Sequence, residues 1–235
     1  FVLHFVLMAS FLVIPDLLAN ELNFSIKNLW WVYFALLGGG FIMMLPALVT
    51  AEDRGIQKSV LIGSVVCMAV SALALAIHRD FWVTAAALLL FFGAFNLLEA
   101  LLPSWASKVC PAGQRGTAMG IYATFQFGGT FLGGVLGGVV IASAGINALF
   151  LTLAGVLVFW AIFALWLESP RTLQTFVLSS GDMPQHEFAE RILNIHGVED
   201  ILAINGEKLA YAKVDRKVID MSKIEPYFNC SRIGE

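Results

Sequence analysis

Charged side chains are scarce in this sequence. Asp, Glu, Lys and Arg make up 13% of its 235 residues, whereas 59% of the residues are hydrophobic. Soluble domains carry about 25% charged residues on average. The composition therefore excludes an ordinary water-soluble globule and indicates a membrane protein.

Cysteine is also rare, and Cys67, Cys110 and Cys230 lie far apart. This spacing indicates neither a disulfide framework nor a Cys-x-x-Cys metal site. The sequence shows no set of residues typical of an enzyme active site and no phosphate-binding loop. We therefore expect no enzyme activity, no metal, no cofactor and no nucleic-acid partner.

The few charged residues are unevenly distributed. Residues 1–168 hold 13 of them, whereas the last 67 residues hold 18. This predicts a membrane domain over 1–168, a linker over 169–172 and a small cytoplasmic domain over 173–235. No signal peptide precedes the first hydrophobic segment, and we expect the chain to start inside a longer gene product.

Six segments are long and apolar enough to span a bilayer, which takes about 20 residues. They are, approximately, 1–19, 29–50, 59–77, 82–104, 117–142 and 147–167. The loops after the second and fourth segments hold four basic residues, whereas the loops on the other side hold two. The positive-inside rule then predicts a multi-pass protein with both ends in the cytoplasm.

Glycines recur at helical spacing in the fifth segment. They are Gly129, Gly133, Gly134, Gly137 and Gly138. Small residues every four positions let two membrane helices pack closely. Gln126 and Thr130 lead into this stripe at the same spacing, so the face borders either a helix contact alone or also a central aqueous path.

Ionisable groups inside the spans are candidate proton-coupling residues. Glu99 shares one face of the fourth helix with Asn96, and a carboxylate in a bilayer normally faces the bundle interior, a partner or water. Glu99 is either a coupling site or a fixed hydrogen-bond acceptor near the end of the span. His4 is a second candidate, and its alternative is a hydrogen bond to a neighbouring helix. Gln126 and Thr130 complete the candidate transport group.

The tail has a short, alternating pattern. It predicts a strand over 175–179, a helix that Asp182 caps and Gly197 ends, and strands over 198–204 and 207–214. Asn205-Gly206 between the last two strands is a hairpin signal. With a second short helix near 222–228, the order is β-α-β-β-α, an α+β sandwich of the ferredoxin-like kind.

The segment that joins the fourth and fifth spans resembles the helix 10 to helix 11 region of major facilitator superfamily transporters. The resembling residues are the run from Leu102 to Trp105, Lys108, Pro111, the sequence Arg-Gly-Thr-Ala-Met-Gly at 115–120 and Phe-Leu-Gly-Gly at 131–134. The resemblance covers about residues 1–168. It implies that the six helices are helices 7 to 12 of a twelve-helix carrier, which needs its missing N-terminal half as a partner.

The loop from Ala51 to Gly55, with Lys58, resembles the second copy of motif A in that superfamily. The resemblance implies a gating loop that contains Glu52, Asp53, Arg54 and Lys58, with Arg115 as a further candidate. Acidic side chains there can cap a neighbouring helix N-terminus. If such contacts form in only one of the two conformations of the carrier, they would bias the equilibrium between them. The alternative is that the loop is an ordinary solvated turn.

Two runs in the tail resemble the C-terminal cytoplasmic domain of YajR-type transporters. They are His196-Gly197-Val198 and Ala-Tyr-Ala-Lys-Val-Asp at 210–215. This resemblance implies proton-coupled efflux of small molecules by alternating access through the lipid bilayer of a bacterial inner membrane. The alternative is a membrane-anchored regulatory or interaction protein whose soluble tail is the working part.

Overall fold

The computed structural model describes residues 1–21, 24–110, 114–167, 173–181, 183–203, 208–215 and 218–227. The chain forms two compact units. One unit comprises Phe1–Ser104 and Ile121–Ser169, and the other comprises Trp105–Gly120 and Pro170–Glu235.

The first unit consists mainly of long apolar helices, although the end of the fourth helix and the start of the fifth belong to the second unit. In chain order these are α1 (Val2–Asp16), α2 (Leu29–Asp53), α3 (Gln57–Ile77), α4 (Phe81–Val109) and α5 (Arg115–Trp166), and a π-helical turn (Leu17–Glu21) follows α1. Each of the five, α1 with its π-helical turn included, is long and apolar enough to cross a membrane. The prediction of a mainly α membrane protein is confirmed.

Helix α5 spans two of the predicted membrane segments. It consists of two helical parts that meet at a kink at Gly145, where the backbone is not helical, with φ 82° and ψ 179°. That conformation is essentially restricted to glycine. The predicted spans 117–142 and 147–167 lie on either side of Gly145, so the kink falls where the connection between them was expected.

The interior of the first unit is filled by apolar side chains from several helices. Val6 and Val13 of α1 and Phe91 and Phe92 of α4 are fully buried. Helix α2 contributes little to this interior, because most of its large side chains, such as Phe41, are exposed. Outward-facing apolar residues of this kind are expected where a helix contacts lipid.

The second unit contains a three-stranded antiparallel sheet. The strands β1 (Leu173–Ser179), β2 (Val198–Ala203) and β3 (Leu209–Asp215) have the order β1-β3-β2. Strand β3 pairs with both neighbours, so the crossover from β1 through α6 (Gln185–Leu193) to β2 leaves room for β3 between them. This split β-α-β arrangement confirms the predicted α+β class.

One face of the sheet packs on α6. Ala210, Ala212 and Val214 alternate along β3 and are buried together with Phe188 and Ile192 of α6. Period-two alternation on β3 and helical spacing on α6 direct these side chains into one core.

The tail also differs from the prediction at several points. The structure has two 3-10 turns, Met221–Lys223 and Glu225–Tyr227, where a helix was predicted. The segment is short, and Pro226 has no backbone N–H to continue a helix. Helix α6 ends at Leu193, while Gly197 occupies a left-handed turn with φ 97° before β2. Asp182, Asn205-Gly206 and the predicted linker 169–172 lie outside the described residues.

Candidate functional site

Three helices bring a histidine, an amide and a carboxylate together. Gln126 of α5 donates from Nε2 to Glu99 Oε1 of α4 at 2.8 Å. The same nitrogen lies 2.7 Å from Nε2 of His4 on α1. His4 Nε2 is also 3.4 Å from Glu99 Oε2. We call these three residues the polar cluster.

The two oxygen atoms of the Glu99 carboxylate have different surroundings. Oε1 accepts from Gln126, whereas Oε2 is buried and has no hydrogen-bond donor among the described residues. The Glu99 side chain as a whole is 36% exposed and that of His4 is 13% exposed. Water can therefore approach Glu99, while the oxygen nearest to His4 is shielded from it.

The histidine ring is held by its surroundings. Its plane stands edge-on to Phe95 of α4, with ring centroids 5.9 Å apart. Phe95 precedes Glu99 by one helical turn, so both contact the same partner on α1. The ring therefore has an apolar wall on one side and the carboxylate on the other.

Glycines place α1 and α5 close enough to form the polar cluster. A methyl group at Gly129 would lie 2.2 Å from the Phe1 carbonyl oxygen, and one at Gly133 would lie 2.3 Å from that of Phe5. At Gly137 the nearest atom, Ala9 Cβ, would be 3.0 Å away. Only a hydrogen fits at the first two positions, so the helix backbones touch beside His4.

The other two glycines of the predicted stripe take no part in this contact. A methyl group at Gly134 would make ordinary contact with Met8 at 3.7 Å, and one at Gly138 would meet nothing within 4 Å. Sequence spacing alone did not distinguish them from Gly129 and Gly133, because the rotation of α5 against α1 decides which glycines face the contact.

Asn96 and Thr130 lie outside the polar cluster. Asn96 donates from Nδ2 to the Leu37 carbonyl of α2 at 3.4 Å. The Thr130 hydroxyl donates to the carbonyl of Gln126, within its own helix, at 3.2 Å. The structure thus brings together three of the five candidate transport residues. Of the other two, Asn96 bonds to another helix and Thr130 to its own.

Among the gating-loop candidates, Glu52 and Lys58 make hydrogen bonds to other helices. Glu52 Oε1 accepts from the Ser104 hydroxyl of α4 at 3.5 Å. Lys58 Nζ donates to the Leu165 carbonyl near the end of α5 at 2.9 Å. Asp53 and Arg54 are exposed, and no ion pair of Arg54 occurs within the described part of the chain. Arg115 is exposed and belongs to the second unit.

One polar contact was not predicted from the sequence. Arg79 follows α3, and its guanidinium donates to the carbonyls of Leu75, at 2.5 Å, and His78, at 2.9 Å, and also to the Asn147 side chain of α5. A cation near the C-terminus of an apolar helix is a signal for such carbonyl contacts. The long-range partner Asn147 has no comparable signal.

The described residues contain no group of three His, Cys, Asp or Glu side chains arranged to hold a metal ion. The polar cluster combines an imidazole, a carboxylate and a neutral amide.

Comparison with known proteins identifies the family. The profile of the Major Facilitator Superfamily matches residues 1–201. The chain belongs to the major facilitator superfamily. This confirms the resemblance that the residues between the fourth and fifth spans indicated.

Curated relatives of this chain are named as transporters. The inner membrane transport protein YajR of Escherichia coli (strain K12) is 34% identical over 226 residues, which cover 95% of this chain and 50% of YajR. An uncharacterised transporter of Buchnera aphidicola (subsp. Baizongia pistaciae) is 27% identical over 143 residues, 60% of this chain and 36% of the relative. The chain thus spans about half the length of YajR.

Proposed function

We propose that this chain is the C-terminal half of a proton-coupled secondary transporter that exports small molecules by alternating access. The polar cluster is the main support for this proposal, because the His4 imidazole and the Glu99 carboxylate, on two helices, both contact the Gln126 amide on a third. Membership of the major facilitator superfamily supports transport of a small-molecule substrate. The name of its E. coli relative supports a bacterial inner membrane, and the basic loops favour a cytoplasmic location for both chain ends.

Proton coupling follows from the hydrogen-bond capacity of the polar cluster. In the neutral tautomer with its proton on Nδ1, His4 accepts from Gln126 through Nε2. A proton that binds Nε2 abolishes this acceptor, and the Gln126 bond is lost. The new N–H instead faces Glu99 Oε2, 3.4 Å away, which has no donor among the described residues. Protonation thus exchanges an α1–α5 contact for an α1–α4 ion pair.

This exchange links the proton to the arrangement of the helices. A ligand shifts a conformational equilibrium only through differential interaction with the two states. The proton has such a difference here, since each protonation state pairs a different set of helices. The substrate would use the same exchange if it bound beside Glu99, whose side chain is 36% exposed.

The half-length of the chain fits a two-part carrier. A transporter of this kind binds its substrate between two halves, and alternating access moves one against the other. We propose that the half preceding Phe1 supplies the opposite wall. The six predicted spans and the tail boundaries at 168 and 173 are part of this proposal, with the tail as a cytoplasmic domain.

The experiment uses the full-length gene product in proteoliposomes with an imposed pH gradient. Lumenal pH is followed while lipophilic cations and sugars are added in turn. We expect proton flux with one class of compound and none with the others. Absence of compound-dependent flux in well-folded protein would contradict transport and favour the alternative, in which the helices anchor a working soluble tail.

A further inference from the structure

An apolar groove runs along the surface of the first unit between α3 and the part of α5 after Gly145. It has a volume of about 580 Å³, and all twelve residues that line it are apolar. Its floor is formed by small, buried residues, Ala69, Ala154 and Ala161. Its walls are formed by exposed larger residues such as Val66 and Val158.

The length of the groove matches one lipid chain. On α3 the lining residues extend from Ile62 to Leu73, which corresponds to about 16 Å at the helical rise. The hydrocarbon core of a bilayer is about 30 Å thick, so one leaflet contributes about half of that. An acyl chain that lies along the groove would therefore fill it from end to end.

A positive charge marks one end of the groove. Lys58 precedes Ile62 by about one helical turn, and its Nζ donates to the carbonyl of Leu165, which is itself a lining residue. An ammonium group has three donors, so two remain for other acceptors. The neighbouring Trp166 is 82% exposed, as expected of an aromatic residue at headgroup level.

We propose that this groove is a binding site for an anionic phospholipid, with one acyl chain between α3 and α5 and the phosphate at Lys58. Charge complementarity at Lys58 selects a phospholipid over an uncharged apolar ligand. The missing half of the carrier is a poorer candidate, because the polar cluster lies on α1, α4 and the first part of α5, whereas the groove uses α3 and the last part.

Two glycines give a matched pair of variants. Gly155 lines the groove, and a methyl group there meets nothing within 4 Å, so Gly155→Phe fills the groove without a clash at its first atom. Gly63 lies on α3 with the same open surroundings and is not a lining residue. Gly63→Phe therefore adds the same side chain outside the groove. Lys58→Gln removes the charge and keeps the groove.

The test places the full-length protein in phosphatidylcholine vesicles that contain phosphatidylglycerol with a photoactivatable acyl chain. Cross-linked peptides are identified by mass spectrometry. We expect labelling concentrated on α3 and the last part of α5, lowered several-fold by Gly155→Phe and by Lys58→Gln, and unchanged by Gly63→Phe.

Three outcomes would overturn the proposal. Equal labelling of all lipid-facing helices would mean ordinary bulk lipid. Equal labelling by a phosphatidylcholine probe would exclude recognition of the anionic headgroup. Absence of label from the groove would mean that another segment or a second copy covers it.

Discussion

Gln126 serves two partners with one amide nitrogen. It donates to Glu99 Oε1 at 2.8 Å and lies 2.7 Å from His4 Nε2, so it connects α1, α4 and α5. An amide stays neutral over the ordinary pH range, so Gln126 can connect the imidazole and the carboxylate without a charge of its own. We propose that His4 and Glu99 bind the proton and that Gln126 connects them.

Replacing this bridge should destabilise the helix bundle. In Gln126→Leu, Glu99 Oε1 loses its donor, and we expect a loss of about 1–2 kcal/mol, limited by the partial exposure of Glu99. Thermal unfolding of the full-length protein in detergent measures it. The control is Thr130→Val, which removes only a hydrogen bond within α5. Equal melting temperatures for wild type and Gln126→Leu would show that the amide does not connect the helices.

Asp220 in the second unit should stabilise the folded state in a way that is lost at acidic pH. Hydrogen bonds from the Ser222 side chain and backbone lower the pKa of this carboxyl group below its usual value. A carboxyl group whose pKa is lower in the folded state stabilises that state above the unfolded pKa. This contribution disappears as the pH falls through the folded pKa.

Amide hydrogen exchange across 219–227 tests this role in the full-length protein. We expect exchange to accelerate as the pH is lowered below the usual range of an aspartate, after correction for intrinsic rates. Asp220→Asn should exchange faster at neutral pH and lose most of this pH dependence. An unchanged profile in that variant would exclude Asp220 as the responsible group.

Among the helices, the close contact between α1 and α5 depends on glycines of α5. At Gly133 the opposing atom is a backbone carbonyl oxygen, which cannot rotate away as a side chain can. A larger residue would therefore push the two helices apart. Because His4 and Gln126 are on these helices, the same displacement would weaken the polar cluster.

Gly133→Ala should therefore cost about 1–3 kcal/mol through overpacking. Gly138→Ala, five residues further on the same helix, meets open space and should be close to neutral. Denaturant-dependent unfolding of both full-length variants measures the difference. If Gly138→Ala were the more destabilising of the two, the packing face of α5 would be assigned incorrectly.

The sequence predicted the elements better than their contacts. Apolar runs identified the membrane helices, and the short alternating pattern of the tail identified its strands. The sequence also marked Glu99, His4 and Gln126 as polar groups in apolar segments. It could not tell that these three meet while Asn96 and Thr130 do not, because that depends on helix rotation and tilt.

Local backbone conformation was the other point that the sequence left open. A glycine can either break a helix or continue it, so the sequence did not show that Gly145 would form the kink between the two parts of α5. The sequence could not predict the partner of Arg79 either, since Asn147 is 68 residues away in the chain.

For the whole molecule, we propose that the chain forms one wall of a carrier. Its length is about half that of YajR, and the polar cluster lies on helices that also carry exposed apolar surface such as Phe125 and Phe127. In the proposed full-length protein, protonation of the polar cluster in this half would bias its movement against the other half. Substrate movement and proton movement would then be coupled through Glu99.

The most direct test of this coupling compares two activities: exchange of a transported compound across the membrane, and its accumulation driven by a pH gradient. Glu99→Gln keeps the shape of the side chain and can still pair with Gln126, but it cannot ionise. Full-length Glu99→Gln in proteoliposomes should exchange a transported compound across the membrane at the wild-type rate. It should fail to accumulate that compound when a pH gradient is imposed.

Asp16→Asn is the control for this measurement, because it neutralises an exposed carboxylate of α1 outside the polar cluster. It should accumulate the compound as wild type does. Accumulation by Glu99→Gln at the wild-type level and with the wild-type pH dependence would contradict the account, since the proton would then move without this carboxylate.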